Sequence, residues 1–287
     1  MKEKIFKLVK QVFPWIVTII SFVFVLKGID YKELFDVLSK IDVSVLTFAL
    51  LNTVIFTLYI CVYKFKSILK FLGYDVPFED VQVIKLGVLP MKTFMPLKIG
   101  EFIRAVYLNK KYNVPYRLGV YSIVLGYLLR MIVLGIFVIA SVVSCNNYML
   151  WFAIIFLLLC LLAVLFKDLK LLLYSLLFEL SLIFNYFIVL KSLSVNVSFL
   201  DFFTYIPLVL FLESLPISIY GFGVRESLFV LLLGKNIGIE KAVVCGLTGS
   251  FMNSVVPLLT SLFFVLPFAK KFFNSEVKYE PSVVKQI

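Results

Sequence analysis

Apolar residues in this chain run in long blocks rather than alternating with polar ones. Six blocks, 11–27, 43–63, 118–143, 149–166, 171–190 and 242–268, come near the roughly 20 residues a helix needs to cross a bilayer. Each predicts a membrane-spanning helix. Two further apolar stretches, 81–103 and 199–233, are interrupted, the first by Pro90, Pro96 and Gly100 and the second by Pro207, Pro216, Gly221 and Gly223. Such breaks free backbone groups that lipid cannot satisfy, so these stretches belong inside protein or along a wet cavity. Each is either a re-entrant hairpin of half-helices or a set of complete spans.

Composition supports a lipid-embedded chain. Of 287 residues 62% are hydrophobic and 16% are charged, with a mean hydropathy of +1.05, against about 25% charged in an ordinary soluble domain. The net charge of +11 would suggest a nucleic-acid partner in a soluble protein. Here the Lys and Arg sit in short loops, so no nucleic acid is expected, and the charge reads as cytoplasmic anchoring with anionic lipid as a compatible ligand. The basic clusters are Lys2–Lys10, Lys64 with Lys66 and Lys70, Lys110 with Lys111 and Arg117, Lys167 with Lys170, and Lys270 with Lys271. Placing all of them in the cytoplasm puts both termini inside, gives six full crossings, and leaves 81–103 and 199–233 as re-entrant hairpins entering from opposite faces. The apolar run after Lys10 resembles a signal peptide but has no small-x-small cleavage site, and is read as an uncleaved first span.

The expected fold is therefore an all-α integral membrane protein. Six transmembrane helices and two broken hairpins form a single membrane domain over 1–271, followed by a short polar cytoplasmic tail over 272–287. The location expected is the cell (plasma) membrane. The chain has no histidine, and its four cysteines, Cys61, Cys145, Cys160 and Cys245, form no CxxC pair. They read as small hydrophobes, and no transition-metal site or disulfide framework is expected.

The two broken stretches resemble each other. Pro96-Leu-Lys-Ile-Gly100-Glu101-Phe-Ile-Arg104 and Pro216-Ile-Ser-Ile-Tyr-Gly221-Phe-Gly223-Val-Arg225-Glu226 both run proline, apolar, polar, Ile, Gly, then Arg eight or nine residues after the proline. A weak repeat of inverted orientation is the signature of transporter-like folds in which broken helices of two halves meet near the midplane. Ionisable residues in such segments cost about 2.5–3.5 kcal/mol each on translocon-type scales, which marks them as candidates for function. Lys85, Lys92, Lys98, Glu101 and Arg104 lie in or beside the first stretch, and Glu213, Arg225 and Glu226 in the second. Arg130 lies mid-span with no acid within four residues, and Glu179 lies within the fifth full span. Arg130 therefore needs a partner from another segment or a wet cavity.

Glu101 and Arg104 share a helix face. They form either a structural ion pair or part of a headgroup site, in which Arg104 and Arg225 hold a phosphate while Glu101, Glu213 and Glu226 orient them. Gly100 and Gly221–Gly223 would let backbone approach a ligand, Lys98 would add a cation or snorkel to the interface, Asn253 would join helices, and Pro257 and Pro267 would kink the last span.

These motifs carry a family resemblance. Pro96-x-Lys-x-Gly-Glu-x-x-Arg104 and the later Gly-Phe-Gly-Val-Arg225-Glu226 resemble the flippase-like transmembrane domain of the lysylphosphatidylglycerol synthase superfamily, over almost the whole chain. The resemblance implies lipid handling, with a headgroup at Glu101, Arg104, Arg225 and Glu226. Two departures stand out. Where the family carries an acidic-Arg-x-x-Asp pattern, this chain has Gly126-Tyr-Leu-Leu-Arg130, keeping the arginine and lacking both acids. No soluble aminoacyl-transferring domain is read in the sequence, so aminoacyl transfer is not expected of it.

The expected activity is binding and translocation of a lipid with a polar, phosphate-bearing headgroup, anionic or glycosylated, at Lys98, Glu101, Arg104, Arg130, Glu213, Arg225 and Glu226. No Gly-x-x-x-x-Gly-Lys-Ser/Thr loop occurs in the sequence, so no ATP drive and no cofactor are expected. No catalytic residue or metal ligand is assigned. The rival readings are a membrane-embedded transferase using Glu101, Glu213 or Glu226 as base, and a non-catalytic partner of a lipid-modifying enzyme.

Overall fold

A computed structural model describes residues 2–95, 100–144, 147–166, 168–214 and 223–274. Every described element is a helix. The first group is α1 (Lys2–Lys27), α2 (Tyr31–Ser39), α3 (Val43–Leu58), α4 (Ile60–Phe71), α5 (Phe78–Gly87), α6 (Leu89–Phe94) and α7 (Ile103–Tyr112). The second is α8 (Tyr116–Val143), α9 (Tyr148–Phe166), α10 (Leu169–Ser192), α11 (Phe199–Ser214), α12 (Val224–Ile237), α13 (Ile239–Ser250) and α14 (Val256–Phe273), with a π-helical turn at Phe251–Val255.

Four units are long and apolar enough to cross a membrane: Val43–Phe71, Tyr116–Val143, Leu169–Ser192 and Ile239–Phe273, with shorter apolar helices at Trp15–Lys27 and Tyr148–Val164. Polarity is arranged inside out relative to a soluble protein. Phe263 and Leu266 of α14, Phe156 and Val164 of α9 and Phe35 of α2 are exposed, while Glu179, Glu226, Arg225 and Arg104 are buried. Only a lipid solvent makes that arrangement favourable.

Local chemistry explains several boundaries. Asp30, Asp42 and Asp168 cap α2, α3 and α10 by accepting backbone N–H bonds of the first turn, which removes otherwise orphaned donors. Between α13 and α14, Pro257 cannot donate to the preceding turn, and the π-helical turn lies immediately before it. The apolar run at 43–63 extends to Phe71 as two helices that break at Tyr59. Lys64, grouped in the sequence with a basic loop, lies inside α4 and is buried. The linker 28–42 contains α2.

The two halves exchange partners. Each broken stretch begins with a helix, α5 in the first half and α11 in the second. The long helix that follows the first broken stretch, α8, packs against α11, and the helix that follows the second, α14, packs against α5. At Gly87 of α5 the approach is so close that a Cβ would lie 2.3 Å from the Phe268 Cβ of α14. The halves therefore interlock.

One end of the bundle gathers the lysines. Asp80, at the start of α5, accepts hydrogen bonds from Lys111 and Tyr112 near the end of α7 and from Lys271 near the end of α14. Residues 78–112 thus leave and return to the same end. Burial alone would raise the Asp80 carboxyl, but the hydrogen bonds from Lys111, Lys271 and Tyr112 outweigh it and hold it at about 2. A carboxyl depressed in the folded state stabilises fully above its ordinary pKa of about 3.9, and that contribution fades as pH falls from there through the depressed value. Asp80→Asn is expected to lower stability by about 1.5–3 kcal/mol at pH 7, the size of a charge-assisted hydrogen bond. Thermal unfolding in detergent checks this, and the variant should also show a shallower loss of melting temperature as pH falls below about 4.

Candidate functional site

Three helices place ionisable side chains at one position within the bundle. Glu179 of α10 is fully buried and lies between two cations, with Lys64 Nζ of α4 donating to Oε1 at 3.3 Å and Arg130 Nε of α8 at 3.5 Å from Oε2. The Lys64 contact is a hydrogen bond. The Arg130 contact is an ion pair without hydrogen-bond geometry, leaving both Arg130 Nε and Glu179 Oε2 without a hydrogen-bond partner. Arg130 thus obtains its partner from another helix, as its isolation in the sequence requires.

Each broken stretch is closed across its limbs by an ion pair. In the first, Lys92 Nζ of α6 lies 2.7 Å from Glu101 Oε1, and Arg104 NH1 of α7 lies 3.3 Å from the same oxygen. The Arg104 guanidinium also donates through NH2 to the Lys85 carbonyl at 3.4 Å, while its Nε has no partner. In the second, Arg225 of α12 grips Glu213 of α11 with two contacts, Nε to Oε2 at 2.9 Å and NH2 to Oε1 at 2.6 Å. The polarity is reversed between halves. The first limb carries the base in one broken stretch and the acid in the other.

Lys85 has no carboxylate partner among the described residues. Its Nζ sits 5.3 Å from the centre of the Phe65 ring, and the Arg104 guanidinium lies 5.7 Å from the same ring. Both distances suit cation–π attraction, so the Phe65 ring is shared by two like charges.

These groups line two adjoining cavities. One, of about 130 Å³, is bordered by Lys85, Lys92, Arg104, Arg130 and Glu213, together with Asn185 and Asn253. The other, of about 80 Å³, adds Lys64 and Glu101. Asn185 anchors the uncharged wall by donating to the Thr53 hydroxyl at 2.9 Å and to Asn253 Oδ1 at 3.1 Å, and by accepting from Asn52 at 2.7 Å. Asn253 therefore joins helices through its side chain.

Of the residues singled out in the sequence, Glu101, Arg104, Arg130 and Glu213 border the cavities. Arg225 stands behind Glu213 and contacts Ser254 at 3.4 Å. Glu226 turns back to accept from the Gly223 N–H at 2.7 Å and from the Ser250 hydroxyl, so it caps α12. Lys98 lies outside the described residues, as do Pro96, Pro216 and Gly221. The close approach at Gly100 is to protein, since a Cβ there would lie 2.4 Å from the Met91 carbonyl carbon and oxygen. Gly223, at φ +78°, brings α12 against the Thr18 carbonyl of α1, which a Cβ would approach to 2.8 Å. Sequence reasoning marked Lys85 and Lys92 as ionisable candidates without placing them in the headgroup site, and assigned no site role to Lys64 or Asn185. Lys64 lies four residues after Ile60 on a helix that follows an apolar run, a position that could have been read as a continuing span.

The family model of the lysylphosphatidylglycerol synthase TM region matches residues 11–169, more than half of the 287. The chain belongs to this family. The match to the lysylphosphatidylglycerol synthase TM region contains Lys64, Lys85, Lys92, Glu101, Arg104 and Arg130, and ends before Glu179, Glu213 and Arg225. A search of curated proteins finds no match to the chain.

Removing one member of a buried charge cluster strands the others. Glu179→Gln is expected to cost about 3–5 kcal/mol, while the triple change Lys64→Leu, Arg130→Met and Glu179→Leu should recover most of it by eliminating the buried charges. Thermal unfolding in detergent measures both.

Proposed function

We propose that this protein binds the anionic headgroup of a membrane lipid in the cationic cavity and carries it between the two leaflets. The observation that carries this reading is the charge balance around the cavity. Among the described residues, Lys64, Lys85, Lys92, Arg104, Arg130 and Arg225 are balanced only by Glu101, Glu179, Glu213 and, beside Arg225, Glu226. Besides its ion pair with Glu179, Arg130 has no hydrogen bond to any described residue. Its planar donor fork, held at the edge of the cavity, suits a phosphate.

The lipid chain has a place beside this cavity. An apolar groove of about 740 Å³ runs between α3, α10 and α11, lined by Phe56, Leu180, Phe184, Phe187 and Phe202. Phe56 lines both groove and polar cavity, and Asn52 of the groove donates to Asn185 of the cavity. A headgroup at Arg130 could thus keep its chain in apolar surroundings.

In this reading the two broken stretches are re-entrant hairpins of an inverted repeat, entering from opposite faces, and the protein has six full spans. The lysine-rich end, with both termini, faces the cytoplasm of the cell membrane. The reversed latches, Lys92–Glu101 and Glu213–Arg225, hold the two hairpins, and their alternate opening would admit the headgroup from one face and then the other. Arg225 and Glu226 position the second hairpin. Membership of the lysylphosphatidylglycerol synthase TM-region family supports a role in lipid handling.

The test is translocation of fluorescent phosphatidylglycerol in proteoliposomes, read by chemical quenching of the outer leaflet. Arg130→Lys keeps the charge opposite Glu179 and removes the fork. It is expected to slow translocation about tenfold or more, the equivalent of losing a charge-assisted hydrogen bond of about 1.5–3 kcal/mol, with melting temperature little changed. Translocation no faster than in protein-free vesicles, or an Arg130→Lys rate equal to the parent, would overturn the reading.

A further inference from the structure

The cavity is selective in charge and in size, and both properties narrow the ligand. Among the described residues the cluster holds six cations and four carboxylates, with Glu226 close enough to Arg225 to count, a surplus of two positive charges. Buried charges without partners are costly, so a ligand that matches the surplus binds best. Zwitterionic headgroups bring no net charge and phosphodiesters bring one negative charge. A phosphate monoester brings about 1.5–2 at neutral pH. The donors without a hydrogen-bond partner among the described residues are also of the right kind, namely Arg104 Nε, 2% exposed by residue, Arg130 Nε, which has only its ion pair with Glu179, and the Lys85 ammonium.

Size points the same way. The two adjoining cavities, about 130 and 80 Å³, are small beside the roughly 300–1,000 Å³ of sites for drug-sized ligands. They share Lys85, Lys92, Arg104, Tyr127 and Arg130 as common walls. A bare phosphate fits that space better than a sugar, an aminoacyl glycerol or a choline.

We infer that the preferred ligand is a lipid ending in a phosphate monoester, its phosphate held among Lys85, Arg104 and Arg130 and its chain in the groove beside Phe56. This rests on the headgroup-binding reading above and goes further in specifying charge and bulk. Lys85 becomes the specificity-determining residue, because it supplies a surplus charge and takes part in no ion pair.

The experiment compares dioleoyl phosphatidic acid, dioleoyl phosphatidylglycerol, dioleoyl phosphatidylcholine and inorganic phosphate as ligands of the purified full chain, by native mass spectrometry and thermal stabilisation. The phosphatidic acid is expected to bind about tenfold or more tightly than phosphatidylglycerol, equivalent to about 1.4 kcal/mol, with phosphatidylcholine and inorganic phosphate weaker still. Lys85→Gln should weaken phosphatidic acid severalfold more than it weakens phosphatidylglycerol, which narrows the ratio between the two anionic lipids. A merely structural Lys85 would weaken both lipids alike. Equal binding of the two lipids by the parent, with both weakened by Arg130→Lys, would overturn the monoester preference and leave the headgroup site standing. Binding unaffected by either variant would overturn both. Inorganic phosphate binding as tightly as phosphatidic acid would overturn the lipid assignment in favour of a free anion.

Discussion

The arrangement of the bundle depends on one buried carboxylate, Glu179, held between Lys64 of α4 and Arg130 of α8. A lone ionised group in an apolar interior is unfavourable by several kcal/mol even after relaxation, and partners must come close to offset it. Satisfying Glu179 therefore fixes three helices relative to one another at mid-length. Because two cations share one acid, neither is fully neutralised. The surplus extends through Lys85, Lys92 and Arg104, and the interior carries positive charge that an anion would balance.

The same constraint explains the two broken stretches. Interrupted backbone at membrane depth needs protein or water around it, and each interruption here is bridged by an ion pair between its limbs, Lys92 to Glu101 and Glu213 to Arg225. The reversed order of charge shows that the halves are related by packing and not by residue identity. Long helices that follow one broken stretch support the other, α8 on α11 and α14 on α5. The two halves are consequently linked through these packed helices. For a lipid carrier that coupling is useful, since a cavity open to both faces at once would let ions leak.

Polar and apolar features are also divided sensibly for a lipid ligand. The charged cavity and the larger apolar groove meet at Phe56, and the amide and hydroxyl groups of Asn52, Thr53, Asn185 and Asn253 form the seam between them. These uncharged groups can hydrogen-bond a glycerol or ester region without adding charge. On the proposed reading, an acyl chain and a phosphate would each meet a surface of their own polarity.

Much of this was legible from the residues alone. Unbroken apolar blocks dictate helices in lipid because only a helix satisfies its backbone within its own segment there, and Pro90 marks the boundary between α5 and α6, whereas Pro207 lies inside α11 without breaking it. The Glu101–Arg104 pair follows from a three-residue helical spacing, and the need of Arg130 for a distant partner follows from the absence of a near one. Which partner it takes was not legible, because Glu179 lies 49 positions away and meets it only through the packing of α8 on α10. Lys64 read as part of a basic loop, since a lysine at the end of an apolar run looks the same whether the helix stops or continues, and only tertiary contact with Glu179 distinguishes the two. Arg225 and Glu226 looked alike as ligand candidates, yet one is clamped by Glu213 and the other caps its own helix. Local sequence determined which segments are helical and which positions carry charge. Tertiary structure decided which charges are neutralised and which remain to meet a ligand, because pairing at a few ångströms between distant segments is a property of packing.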